Sequence, residues 1–192
     1  MESDHHGSPQ VWCGLQFTAT GYSVAGNAFG TGLNGITVNI SRAGTAVVTP
    51  AVTILGSQPW LTSTVDDTLT LDGQLNLNGQ TLTVNGLGLI VVNEGLTGCA
   101  ASSIMLNATG GLRIPNSGSF AFSGPITVQE GVLEIANGWE FPLINLEDGG
   151  VLGGDGHLAA PSPTFRKAPT LPNPMRRSCA SLTRAATETM SL

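Results

Sequence analysis

Acidic side chains offer the first chemistry to test in this chain. Asp66 and Asp67 are its only adjacent aspartates, and Glu147-Asp148 is followed seven residues later by Asp155. Two carboxylates can divide acid and base roles in glycoside hydrolysis, or ligate calcium. At the turns of an acidic chain the same residues are more simply solvated surface groups, and their spacing favours that reading. Cleavage of an acidic polysaccharide would also need a cation at the substrate's acid group. Residues 1–160 hold only Arg42 and Arg113 as Lys or Arg, several repeats apart.

The other candidates are weaker. Gly149-Gly-Val-Leu-Gly-Gly-Asp155-Gly156 has the look of a calcium nonapeptide, but it is one imperfect copy without a tandem partner. Gly86-Leu87-Gly88 lacks the rest of a phosphate-cradling loop and reads as a turn. His5, His6 and His157 are too scattered and too terminal for a metal site, and Cys13, Cys99 and Cys179 form neither a zinc spacing nor a disulfide framework. Trp12, Trp60 and Trp139 could stack on sugars, yet each sits among apolar neighbours, so packing at a coil edge or cap is expected. Asn39-Ile40-Ser41 and Asn107-Ala108-Thr109 are glycosylation sequons only in a compartment that uses them. No catalytic, cofactor-binding or metal-ligating residue is predicted, and no cofactor.

Charge narrows the partners. The net charge of −6 divides into −10 over residues 1–160 (two basic against twelve acidic residues) and +4 over residues 161–192 (five against one). An acidic body with two arginines cannot neutralise a phosphate backbone, which needs several basic contacts acting together, so no nucleic-acid partner is predicted. The polar opening Met1-Glu2-Ser3-Asp4-His5-His6 shows no signal peptide, and no apolar run approaches the length of a transmembrane segment.

The elements that would position any of these residues come from a repeat. Apolar pairs one position apart recur along the chain, as in Leu82/Val84, Ile104/Leu106 and Ile126/Val128, which marks strands with one buried face. Leu82, Ile104 and Ile126 are spaced by 22 and 22, and Leu69, Ile90, Leu112 and Leu133 by 21, 22 and 21. A looser series, Leu75, Leu96, Phe120 and Leu143, has intervals of 21, 24 and 23. Three interleaved series with a common period predict an all-β fold: a parallel β-helix, a solenoid of three-strand coils of about 22 residues, each strand pairing with its equivalent one coil away. Asn78-Gly79, Asn85-Gly86 and Asn137-Gly138 supply corners, but Asn-Gly between alternating apolar residues is also a hairpin signal. The alternative is therefore an antiparallel β-sandwich.

Several segments, taken in order, resemble a known family. Gly56-Ser-Gln58-Pro-Trp60, Thr68-Leu-Thr-Leu-Asp72-Gly73 and Thr81-Leu-Thr-Val-Asn85-Gly86-Leu-Gly88 are similar to the segments of autotransporter-associated β-strand repeat proteins. So are Gly110-Gly-Leu-Arg-Ile-Pro-Asn-Ser-Gly118-Ser-Phe-Ala-Phe-Ser-Gly124, Pro125-Ile-Thr-Val-Gln-Glu-Gly131-Val-Leu-Glu-Ile135 and the glycine-rich stretch 149–156. Phe122-Ser-Gly-Pro-Ile126 stands where that family has Asn-Thr-Tyr-Thr-Gly. The resemblance covers about residues 45–158 and implies a right-handed parallel β-helix of passenger or stalk type. It also implies an extracellular or cell-surface setting in a bacterial parent protein.

Residues 36–158 are accordingly expected to form the repeat domain, and 1–35 a partial coil or cap. After His157 Gly disappears and five prolines fall between Pro161 and Pro174, so 159–192 reads as a disordered basic tail. The expected role is a structural or presentation module without catalysis. An adhesin-like surface for glycans or host protein is the alternative, and a polysaccharide-active enzyme a third reading. The unpaired strand edges at the ends of such a rod also imply self-association.

Overall fold

The computed structural model describes residues 10–40, 43–115, 119–136, 140–141, 143–154, 157–158 and 164–165, and these residues form strands, turns and no helix. Every strand pair among them is parallel. The chain is a β-solenoid of three walls, and the antiparallel sandwich is excluded.

The first wall carries the file Phe29, Val52, Leu75, Leu96 and Phe120. The second stacks Leu15, Ile36, Trp60, Val84, Leu106, Val128, Leu146 and Phe165. The third stacks Ala46, Leu69, Ile90, Leu112, Leu133 and Leu152. The series read from the sequence thus lie in register: Leu82 pairs with Ile104 and Ile104 with Ile126. Residues 10–35, expected to be a partial coil or cap, carry strands of the same three walls, with Gln10–Phe17 pairing in parallel with Phe29–Val38.

Leu143 corrects the third series. It lies outside the first-wall file, because Ile126 pairs with Ile144 on the second wall and the Ile126 amide donates to the Leu143 carbonyl. The interval from Ile126 to Ile144 is only 18 residues, so the chain reaches the second wall early and this coil is about four residues shorter than the 22-residue period.

Strand alternation places one side chain in two inside the tube. Ile36, Trp60, Leu69, Leu82, Ile90, Leu96 and Ile104 are buried in one continuous core. Each large aliphatic side chain sequestered in this way contributes roughly 1.5–3 kcal/mol. The main-chain groups point along the rod axis and pair with the coils on either side, so the tube wall leaves few polar groups to satisfy.

The three corners are not alike. Asn78-Gly79 turns between the first and second walls with φ of 49° and 79°, the left-handed region that Asn and Gly tolerate. The Gln80 amide closes this turn on the Leu77 carbonyl at 2.8 Å, and the Gly79 amide donates to Ser102 Oγ of the next coil at 2.9 Å. An Asn-Gly pair that signals a hairpin in other settings here passes the chain to a new wall.

The corner between the second and third walls changes along the rod. It is bridged by residues 18–22 in the first coil, 63–66 in the third and 87–88 in the fourth, and in the second the described residues between the two strands are 39, 40 and 43. In the later coils it disappears into the unbroken strands Ser103–Ile114, Ile126–Ile135 and Ile144–Gly154. Where the corner is tight, glycines stack. A Cβ on Gly110 would fall on the Gly88 carbonyl oxygen, and one on Gly131 on the Ala108 carbonyl oxygen. Gly110→Ala is expected to cost about 1–3 kcal/mol by overpacking against fixed backbone. Thr109→Ala, at the exposed neighbour, should stay within about 0.5 kcal/mol. Urea denaturation midpoints with unchanged m-values check both.

Candidate functional site

The corner loops of the first three coils form the most built feature of the surface. They enclose an open cleft of about 480 Å³ between the second and third walls, lined by Thr20, Tyr22, Ser23, Thr45, Val47 and Asp66 among others. Main-chain bonds between coils hold the lining in place. The Gly21 amide donates to the Thr45 carbonyl at 3.3 Å, the Val47 amide donates to the Tyr22 carbonyl at 3.0 Å, and Ser23 and Val47 are register partners. Gly44 pairs with Asp67 below it, and a Cβ on Gly44 would meet the Thr20 side chain at 2.8 Å.

Asp66 and Asp67, read together as solvated acids, part company here. Asp66 is exposed at the cleft. Asp67 is completely buried. Its Oδ2 accepts from the Thr64 amide at 3.2 Å and from the Ile40 amide at 3.5 Å, tying the loop of one coil to the end of the preceding coil's strand. Its Oδ1 has no hydrogen-bond partner. The alternation of Asp67, Leu69 and Leu71 on one face of strand Asp67–Leu71 turns this carboxylate inward. Sequence reasoning missed it because it read the pair as one turn, whereas Asp67 is the first residue of the strand.

The remaining candidates do not converge. Glu147 and Asp148 lie on strand Ile144–Gly154, in the coils beyond the loop-bearing corner, and Asp155 lies outside the described residues. Residues 149–154 belong to that same strand. Arg113 forms an ion pair with Glu134 at 3.0 Å across adjacent coils on the outer face of the third wall, while Arg42 lies outside the described residues. No group of three or more His, Cys, Asp or Glu side chains suited to a metal occurs among the described residues. His5, His6, Trp139 and Cys179 fall outside them.

Trp60 is buried in the middle of the core, away from any coil edge or cap. Its indole Nε1 donates to Gln58 Oε1 at 3.3 Å, and Gln58 Nε2 donates to Thr31 Oγ1 at 2.9 Å. This internal chain satisfies a buried amide and an indole N–H, a packing role that leaves no group free for a ligand. Trp12 stacks on Phe29 with ring centroids 4.4 Å apart. Cys13 and Cys99 are both exposed free thiols. The Ala101 backbone amide, followed by the Ser102 hydroxyl, holds the Cys99 thiol below its usual range by hydrogen bonding to the thiolate.

No protein-family model, curated protein or solved structure matches this chain. No helix among the described residues is long and apolar enough to cross a membrane.

The two bonds made by Asp67 make the corner testable. Asp67→Ala leaves the buried Ile40 amide and the part-buried Thr64 amide without this acceptor and is expected to lower stability by about 1–3 kcal/mol. Asp66→Ala, at an exposed position, should change it by less than about 0.5 kcal/mol. Chemical denaturation of both variants tests this, and equal losses would rule out a separate buried role for Asp67.

Proposed function

We propose that this chain is a structural and presentation module of a bacterial surface or secreted protein of the autotransporter-associated repeat type, with no catalysis of its own. The observation that carries this reading is the unbroken backbone register of the second wall from Leu15 to Phe165. A wall in which every coil is hydrogen-bonded to the next transmits position along its length. Its outward residues are free to differ from coil to coil. In register on the outer face of the third wall stand Thr68, Leu89, Gly111, Val132 and Val151, a file of three aliphatic residues, a threonine and a glycine with no ionisable side chain in it. Such a file suits spacing and display, since a catalytic site would need side chains from several coils converging on one point. The ordered segments similar to autotransporter-associated repeats support the same setting.

The surface setting is tested on intact cells of the source organism. Protease shaving followed by immunoblotting is expected to remove the chain from cells, or to find it already in the medium. Protection in intact cells with digestion only after lysis would overturn the assignment.

Self-association follows from the strand edge at the start of the winding. Among the described residues, Gln10–Phe17 pairs only with Phe29–Val38. Its inward-facing Trp12 and Leu15 are half-buried, whereas Ile36 and Trp60 further along the rod are fully buried. A parallel strand edge beside apolar surface is a template for another chain. Light scattering is expected to show a mass that rises above that of the monomer with concentration, and a monodisperse monomer at millimolar concentration would contradict it.

A further inference from the structure

We propose that the loop-built cleft at the corner of the first three coils is a binding site for a neutral saccharide. The proposal does not depend on the cell-surface role, since it concerns only the chemistry of the cleft. Tyr22, the chain's single tyrosine, is 59% exposed at the cleft. An aromatic ring presented to solvent can stack on the apolar face of a pyranose while leaving its hydroxyl wet. Around it stand the hydroxyl groups of Thr20, Ser23 and Thr45, which donate and accept, and the Asp66 carboxylate, which only accepts. A sugar offers the matching set: C–H groups on one face and vicinal hydroxyls at the rim that can donate to a carboxylate in pairs.

Charge selects among saccharides. Asp66 is the ionisable carboxylate among the described lining residues, no Lys or Arg is among those described, and residues 1–160, with Arg42 counted, carry −10 overall. Uronates, sulfated glycans and phosphorylated ligands would meet a repulsive field. An apolar peptide would find only the Tyr22 ring, Val47 and Ala43 to bury against, amid hydroxyl groups and a carboxylate. The volume of about 480 Å³ lies within the roughly 300–1,000 Å³ typical of small-ligand sites.

The cleft exists only where the corner has loops. In the later coils the second and third walls join in one strand, and the glycine corner there borders a smaller groove of about 320 Å³ framed by Leu87, Leu89 and Val132, which lacks an aromatic ring. The Asp67 carboxylate, by bonding the Thr64 and Ile40 amides beneath the cleft, fixes the loop that carries Asp66.

The test uses the full chain, with saturation-transfer NMR and calorimetric titration against cellohexaose, maltohexaose and mannohexaose, and hexagalacturonate as the anionic comparator. At least one neutral hexasaccharide is expected to bind, and more tightly than hexagalacturonate. Tyr22→Ala should weaken that binding at least about tenfold, as the loss of an aromatic anchor does. Asp66→Ala should weaken it about three- to tenfold without altering stability. Val132→Ala, on the outer face of the third wall, should leave it unchanged. Failure of all three neutral sugars to bind, preference for hexagalacturonate, or equal binding by wild type and Asp66→Ala would each overturn the proposal. Because Asp66 is exposed, its variant keeps the test decisive even if Tyr22→Ala destabilises the fold.

Discussion

Everything in this molecule depends on coils approaching one another at the distance of a main-chain hydrogen bond. A parallel ladder sets neighbouring strands roughly 4.7–4.9 Å apart, and that spacing governs which residues are admitted at each position. Inside the tube it requires side chains that stack on their own kind, which is why aliphatic residues recur in files such as Leu82, Ile104 and Ile126. At the tight corner it admits no side chain at all. The carbonyl oxygen of Asp67 occupies the place of a Cβ on Gly88, and that of Gly88 the place of a Cβ on Gly110. The glycine content of this chain is in part a direct consequence of backbone stacking.

The same constraint separates the scaffold from the places where chemistry could reside. A wall residue has only two directions, inward to a dry core or outward to a flat face. Side chains have a further direction open to them where the chain leaves the ladder, and among the described residues that happens at the corner stretches 18–22 and 63–66. Leaving the ladder strips amides of their partners. The Thr64 and Ile40 amides recover an acceptor in Asp67, which must be buried to reach them. The cost is a carboxylate oxygen, Oδ1, with no hydrogen-bond partner. A buried acid beneath an exposed one is therefore the mark of a corner opened for a surface feature and then re-tied.

The period was legible because it is imposed by contact between equivalent residues of successive coils. Leu69, Ile90, Leu112 and Leu133 stand at intervals of 21, 22 and 21 in the sequence, and they pair in register. Leu143 was misread because a purely numerical series cannot detect a shortened coil, whereas the pairing of Ile126 with Ile144 shows the contraction directly. Asn78-Gly79 was ambiguous for a physical reason: its left-handed φ values specify a sharp turn and say nothing about which strand lies beside the next. Parallel topology was set by the repeat and not by the turn. The cleft was the least legible part, since it is made from unequal loops in three coils. Tyr22, standing alone as the chain's tyrosine in a segment read only as a partial coil or cap, was the available signal.

Specificity and stability thus draw on opposite properties of the same corner. The coils containing Gly110 and Gly131 lock the second wall to the third, and their strands run from one to the other without a break. The coils containing Tyr22 and Asp66 give up that continuity for room. Because each coil contacts mainly its neighbours, stability in such an array is approximately a sum of local interface terms, and a loosened corner in early coils need not weaken later ones. The tightly cornered coils can remain a stiff support while the loop-bearing coils vary. A solenoid can therefore acquire a site by lengthening a few corners without redesigning its core, provided each lengthened loop finds an internal acceptor to replace the ladder bonds it gave up. Asp67 fills that requirement here.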